Sequence, residues 1–164
     1  MELKRVVVTG LGAVTPLGLN VDETWEALLN GVSGAGPITH FDASQFKTQF
    51  ACEVKNFDPT LYLDKKEVRK FDRYAQFAVA AAKEAVGDSA LDLEKVDKNR
   101  VGVIFAAGIG GIRTFEEEVG GYFTNIERGP KFNPFFIPKM IADIAAGHIS
   151  MIYGFHGPNY ATVS

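Results

Sequence analysis

The chain has 164 residues, 46% of them hydrophobic and 23% charged, with a net charge of −3. That is enough for one domain with its own core, and it excludes both a disordered composition and a chain-wide basic field for nucleic acid. The single cysteine, Cys52, excludes an intramolecular disulfide framework and a multi-cysteine zinc site, and an unpaired thiol fits a reducing compartment.

Arg5 to Thr9 is a short β-branched run of the kind that makes a strand buried on both faces. It ends in the glycine-punctuated loop Gly10 to Gly18. A helix is expected from about Asn20, which can cap it, with Glu23 three residues on as in a capping box and Gly31 at its end. Trp25, Leu28 and Leu29 give that helix an apolar face. The stretch from Gly31 to Leu63 reads as irregular, with a short strand at 50–54.

Next comes a basic cluster, Lys65, Lys66, Arg69, Lys70 and Arg73, in which 66, 69, 70 and 73 would share one helical face. An alanine-rich helix follows from about Asp72 to Val86, with Gly87 as its end cap. Arg100 to Ala107 reads as a second buried strand, closed by Gly108 to Gly111. A helix is expected from Ile112 to about Tyr122, with Glu116, Glu117 and Glu118 facing water. After a proline-bearing loop at 127–138, Pro138 suits the first turn of a helix running to Tyr153 and stopped by Gly154. Its apolar face (Met140, Ile141, Ile144, Ala145, Ile149, Ile152) predicts burial. Asn159 to Ser164 begins a last strand. Strands alternating with helices argue for an α/β layered fold with a largely parallel sheet, in a single domain or part of one. No apolar stretch forms a signal sequence or reaches the roughly 18 residues of a membrane span, so the protein reads as cytoplasmic, with no membrane partner.

The motifs exclude several chemistries. Gly10-x-Gly12 follows a predicted strand, but a dinucleotide fingerprint needs its third glycine where Thr15 stands, and Gly108-x-Gly110 has Arg113 there. These glycines read as tight turns and close backbone contacts. No Gly-Lys-Ser/Thr phosphate loop is present. His40, His148, His156 and Cys52 lack zinc-site spacing. His148, on an apolar helix, reads as a satisfied buried imidazole, and Cys52 as a structural thiol. By spacing alone the basic cluster reads as a solvated face balanced by Asp64, Glu67 and Asp72. The loop Phe132 to Ile137 reads as core, as an interface, or as the lining of a pocket for an apolar ligand.

Taken together, the motifs resemble a known family. Arg5 to Gly18, Arg69-Lys70-Phe71-Asp72, Gly108 to Gly111, Asn133 to Pro138, Ala146 to Ile149 and Tyr153 to Pro158 occur in the order found in the β-ketoacyl-[acyl-carrier-protein] synthases of fatty-acid synthesis. The resemblance implies a thiolase-like fold (layered α-β-α-β-α) of two similar halves, assembled as a homodimer, with residues 1–164 forming most of the first half and the carboxy-terminal half absent. It implies fatty-acid chain elongation by decarboxylative condensation, with no metal, nucleotide or flavin. No catalytic residue is expected within the chain: the nucleophilic cysteine would follow just beyond Ser164, and two histidines would come from the second half. Acyl carrier protein, acyl- or malonyl-loaded, is the implied partner, and Lys66, Arg69 and Lys70 match the positions that meet its acidic helix. Ile109, Phe135 and Phe136 match the acyl pocket. Asn159, Tyr160, Ala161, Thr162 and Val163 match the strand that pairs across the dimer axis. Alternatives are a noncatalytic carrier-binding protein and a chain-length-factor-like paralogue. What is encoded directly after Ser164 separates them: cysteine for the synthase, glutamine for the paralogue, a stop codon for the noncatalytic carrier-binding protein. The 164 residues alone are expected to be inactive.

Overall fold

The computed structural model describes residues 3–162, and the chain divides into two compact units. Val163 and Ser164, expected in the last strand, lie outside the described residues.

The first unit comprises Met1–Asp58 with Ala80–Ala90. Helix α1 (Val21–Leu29) forms where its capping residues place it: Asn20 Oδ1 accepts the Glu23 N–H at 2.8 Å, and Glu23 Oε2 accepts the Leu19 N–H at 2.8 Å. Its expected apolar face is not covered. Trp25, Leu28 and Leu29 are exposed, and the helix is held instead through its first turn, where Glu84 Oε1 accepts the Val21 N–H at 2.8 Å. The irregular stretch contains, besides the expected strand, a second strand and a short 3-10 turn at Pro59–Leu61. β1 (Ala35–Pro37) pairs antiparallel with β2 (Phe50–Cys52), with Ala35 opposite Cys52.

Arg5 to Thr9 is not a strand. Val6 and Val8 are 90% and 78% exposed, whereas a strand buried on both faces needs sheet neighbours and covering layers. Among the described residues no strand pairs with this segment.

The following loop is fixed by the last turns of the long helix, numbered α3 in chain order (Arg73–Asp88). Leu11 N–H donates to Asp88 Oδ2 and Ala13 N–H to Glu84 Oε2, both at 2.9 Å. Gly87 does not end α3 but lies inside it. The residue that turns the chain is Ala90, with φ +53. An L-residue there costs about 1 kcal/mol, so Ala90→Gly is expected to raise stability by up to about 1 kcal/mol, read as a higher thermal midpoint. An unchanged or lower midpoint would contradict this.

The second unit comprises Pro59–Val79 with Leu91–Ser164. The basic cluster is not one helix. α2 (Lys65–Val68) spans four residues, and the chain turns through Arg69–Asp72 before α3 starts at Arg73. Gln76 satisfies the carbonyls freed at the break, its Nε2 donating to those of Val68 (3.1 Å) and Phe71 (3.2 Å). The alanines Ala75 and Ala78 on α3 are buried, as small residues at a close-packed face should be.

The expected strand at 100–107 is shorter and more exposed than predicted. β3 (Val103–Ile104) pairs parallel with β4 (Asn159–Tyr160), Val103 opposite Asn159. The approach needs bare backbone: a Cβ on Gly102 would sit 2.7 Å from the Pro158 carbonyl oxygen, and one on Gly157 2.6 Å from that of Val101.

α4 (Ile112–Thr124) packs on α5 (Phe136–Met140). Glu116 and Glu117 face water as expected, while half-buried Glu118 accepts the Asn133 N–H at 2.9 Å. The helix expected to run from Pro138 to Tyr153 is two. Ile141, with ψ 138°, separates α5 from α6 (Ile144–Tyr153), and Gly154 closes α6 with φ +67. α6 covers β3 and β4 through its buried Ala145, Ala146 and Ile149, while Ile141 and Ile152 are exposed. Among the described residues no helix is long and apolar enough to cross a membrane.

Candidate functional site

The basic residues form a short, braced turn rather than a helical stripe. Lys66 and Arg69 are exposed, and among the described residues neither is in an ion pair. Lys70 differs. Its Nζ binds Glu67 Oε1 at 2.6 Å and lies 5.9 Å from the centre of the Phe135 ring, so this half-buried cation faces an aromatic of the proline-bearing loop.

Two buried polar residues of α3 and its entry, Asp72 and Gln76, support the turn. From the sequence, Asp72 reads as a balancing surface charge, a helix start and a motif residue, not as a buried group, and Gln76 carries no signal at all. The Thr114 hydroxyl donates to Asp72 Oδ2 at 2.5 Å, and the Tyr74 N–H donates to Asp72 Oδ1 at 3.2 Å. The Tyr74 hydroxyl donates to the Ile141 carbonyl at 2.5 Å. Burial pushes the Tyr74 phenol up to about 12, with Asp72 and Asp143 adding to the shift, so it remains a protonated donor at neutral pH.

The three expected pocket residues are unequally placed. Phe136 begins α5 and lies half-buried in an aromatic cluster, 5.7 Å from Phe132 in a stacked pair and 6.2 Å from Phe115. Tyr122 extends the cluster at 5.6 Å from Phe132. Phe115 and Tyr122 went unremarked in the sequence, although their helical spacing from α4 toward the loop was readable. Phe135 is exposed beneath Lys70. Ile109 is 67% exposed on the turn before α4. That turn is pinned to α5: Gly111 N–H donates to the Met140 carbonyl at 2.9 Å, and Gly110, with φ +87, leaves no room for a Cβ against Met140 and Ala142.

Of the expected interface residues, Asn159 and Tyr160 form β4, Ala161 is half-buried, Thr162 is exposed, and Val163 lies outside the described residues. The Asn159 side chain turns inward, its Nδ2 donating to the Ala146 carbonyl (2.9 Å) and Ser150 Oγ (2.6 Å). Tyr160 remains half exposed at that edge.

His148 is not the satisfied imidazole expected. Its ring stacks on Phe71 at 3.6 Å, its buried Nε2 has no hydrogen-bond partner among the described residues, and burial lowers its pKa, keeping it neutral. Cys52 is exposed on β2. Among the described residues no three His, Cys, Asp or Glu side chains gather as metal ligands.

Comparison with known proteins gives a consistent set of relatives. A 3-oxoacyl-[acyl-carrier-protein] synthase 2 from Coxiella burnetii is 48% identical over 164 residues, covering 100% of this chain and 39% of the relative. One from Synechocystis is 42% identical over 165 residues, with the same coverage. The chain thus spans about two fifths of the length of these curated relatives. Among solved structures, the ishigamide ketosynthase/chain length factor superposes with a TM-score of 0.84 at 25% identity, covering 96% of this chain and 39% of that one. A type II polyketide ketosynthase, solved in complex with its acyl-carrier protein and bound to a hexaketide, gives 0.73 at 26% identity, covering 94% and 40%. The fold is therefore thiolase-like, as the resemblance carried by the motifs implied; of the largely parallel sheet expected from the alternation of strands and helices, the described residues form one parallel pair, β3 with β4, beside the antiparallel pair β1 with β2. Residues 3–164 match the model of the β-ketoacyl synthase amino-terminal domain, and the chain belongs to that family.

Proposed function

We propose that the full-length protein elongates fatty acids as a 3-oxoacyl-carrier-protein synthase. The observation that carries this reading is the identity of up to 48% to such synthases along the whole chain. A cysteine thiolate just beyond Ser164 attacks the thioester of an acyl carrier, forming an acyl-enzyme and releasing the carrier thiol. Malonyl-carrier then loses carbon dioxide, and the electron pair of the broken bond becomes a carbanion at C2. That carbanion attacks the acyl-enzyme carbonyl, expels the cysteine thiolate and leaves a 3-oxoacyl-carrier two carbons longer. Residues from the other half of the protein, two histidines among them, stabilise the oxyanion with backbone amides.

Within the chain, Lys66, Arg69 and Lys70 receive the acidic carrier. The resemblance to a ketosynthase solved with its acyl-carrier protein supports a carrier as partner, and the exposed, unpaired Lys66 and Arg69 supply the charge. Ile109, Phe135 and Phe136 line the acyl pocket. Residues 159–162 form the seam of a homodimer, and the enzyme is cytoplasmic.

A second reading, a noncatalytic chain-length-factor-like paralogue, draws on the likeness to the ishigamide ketosynthase/chain length factor. The test of the proposal is condensation of acyl- and malonyl-carrier by the full-length protein: a 3-oxoacyl product supports the first reading, and its absence with a glutamine after Ser164 supports the second.

A further inference from the structure

Asp72 stands two residues past Lys70, and its contacts tie together segments that the sequence keeps apart. It is 8% exposed, and Thr114, its hydrogen-bond donor, is 4% exposed. Thr114 lies in the first turn of α4, just after the Gly108–Gly111 turn that carries Ile109. The same carboxyl oxygen lies against Gly111, where a Cβ would come within 3.0 Å of it. Gly111 in turn hydrogen-bonds the end of α5, the helix that begins at Phe136. Through its neighbour Tyr74, the same corner of α3 holds the Ile141 carbonyl at the point where α5 stops. Burying a carboxyl group costs solvation, and an apolar pair would fill the space equally well. What a short hydrogen bond to a carboxyl group adds is a fixed direction.

We infer that the Asp72–Thr114 pair is a positioning device that holds the Ile109 turn and the Phe136 helix in register with the carrier-docking turn, and so sets how well the pocket accepts a long acyl chain. This rests on the docking and pocket assignments made above. Docking residues and pocket residues are then parts of one braced body joined through the first turn of α3. A longer chain reaches further along the pocket wall and feels a misplaced turn more than a short one does.

The test uses the full-length enzyme with hexanoyl- and tetradecanoyl-carrier as paired substrates. Thr114→Val keeps the volume and removes the hydroxyl. It is expected to lower kcat/KM for the tetradecanoyl substrate roughly tenfold and for the hexanoyl substrate about twofold or less, the loss that a misplaced reacting geometry produces. Thr114→Ser restores the donor and is expected to recover most of the tetradecanoyl rate. Should Thr114→Val fail to fold, Asp72→Asn keeps an acceptor with a weaker bond and is expected to show the same bias toward loss with the long chain. Equal losses for both substrates in whichever variant folds, or no loss at all, would overturn the inference and leave the pair a folding staple. An unmutated enzyme without condensation activity would instead remove the proposed function, and this inference with it.

Discussion

Reversing Lys66 and Arg69 to glutamate in the full-length protein is expected to cut the carrier-dependent rate by on the order of 10–100-fold at low ionic strength. Both side chains are exposed and free of ion pairs among the described residues, so no contacting carboxylate holds them away from an approaching acidic partner. Such charges act mainly on encounter, so the loss should appear in kcat/KM rather than in kcat. It should also shrink as salt is added, because the screening length falls from about 10 Å at 0.1 M to about 3 Å at 1 M. Lys70 is left out of this variant deliberately. It is bound to Glu67 and lies over Phe135, so its replacement would disturb the proposed docking turn and the proposed pocket together. An unchanged low-salt rate, or a loss of the same size at every salt concentration, would return the cluster to an ordinary solvated surface.

The second large effect concerns stability. Gly12→Ala is expected to cost about 2–3 kcal/mol, the range for forcing extra atoms into a packed site. A Cβ at Gly12 collides with the Ala81 carbonyl and sits 2.7 Å from the Ala85 nitrogen, both backbone atoms of a helix that cannot step aside. Gly10 meets Ala85 and Ser89 in the same way. Gly87→Ala is the matched comparison. Gly87 lies in the same helix with nothing within 4 Å of an added Cβ, so alanine there should stabilise by about 0.5–1 kcal/mol. Denaturant midpoints moving in opposite directions would bear this out. A neutral Gly12→Ala would mean that the loop is not seated on α3.

The same loop illustrates what could be read from the sequence. The absence of a third glycine at Thr15 excluded the dinucleotide fingerprint, and the alternative, close backbone approach, is what Gly10 and Gly12 provide. Helix α1 was readable because its signals are local, Asn20 and Glu23 lying three residues apart. Strands were not, because pairing is decided by distant partners. Nothing in Ala35-Gly36-Pro37 announces β1, and the valines at 6–8 promise a strand that the described residues do not pair.

Helix breaks failed for a related reason. α6 looked continuous with α5 because Ile141 fits the same apolar face as Ile144 and Ile149, but its carbonyl is taken by Tyr74 from another helix. Gln76 likewise satisfies the carbonyls freed at the basic turn from five to eight residues away. The positive charge of Lys66, Arg69 and Lys70 was legible in the sequence, and the docking role given to them is a proposal that the charge reversal tests. The buried Asp72, Gln76 and Thr114 behind them were not legible, because a polar residue's burial is a tertiary fact.

The central claim is that these residues serve a condensing enzyme whose nucleophile lies outside them. The most direct measurement is to incubate the full-length protein with acyl-carrier alone, map the acylated residue by mass spectrometry, and then add malonyl-carrier. The expected result is one acylated cysteine just beyond Ser164, discharged on malonyl addition into a 3-oxoacyl-carrier two carbons longer. Acylation at Cys52, or no acyl-enzyme and no product, would contradict it.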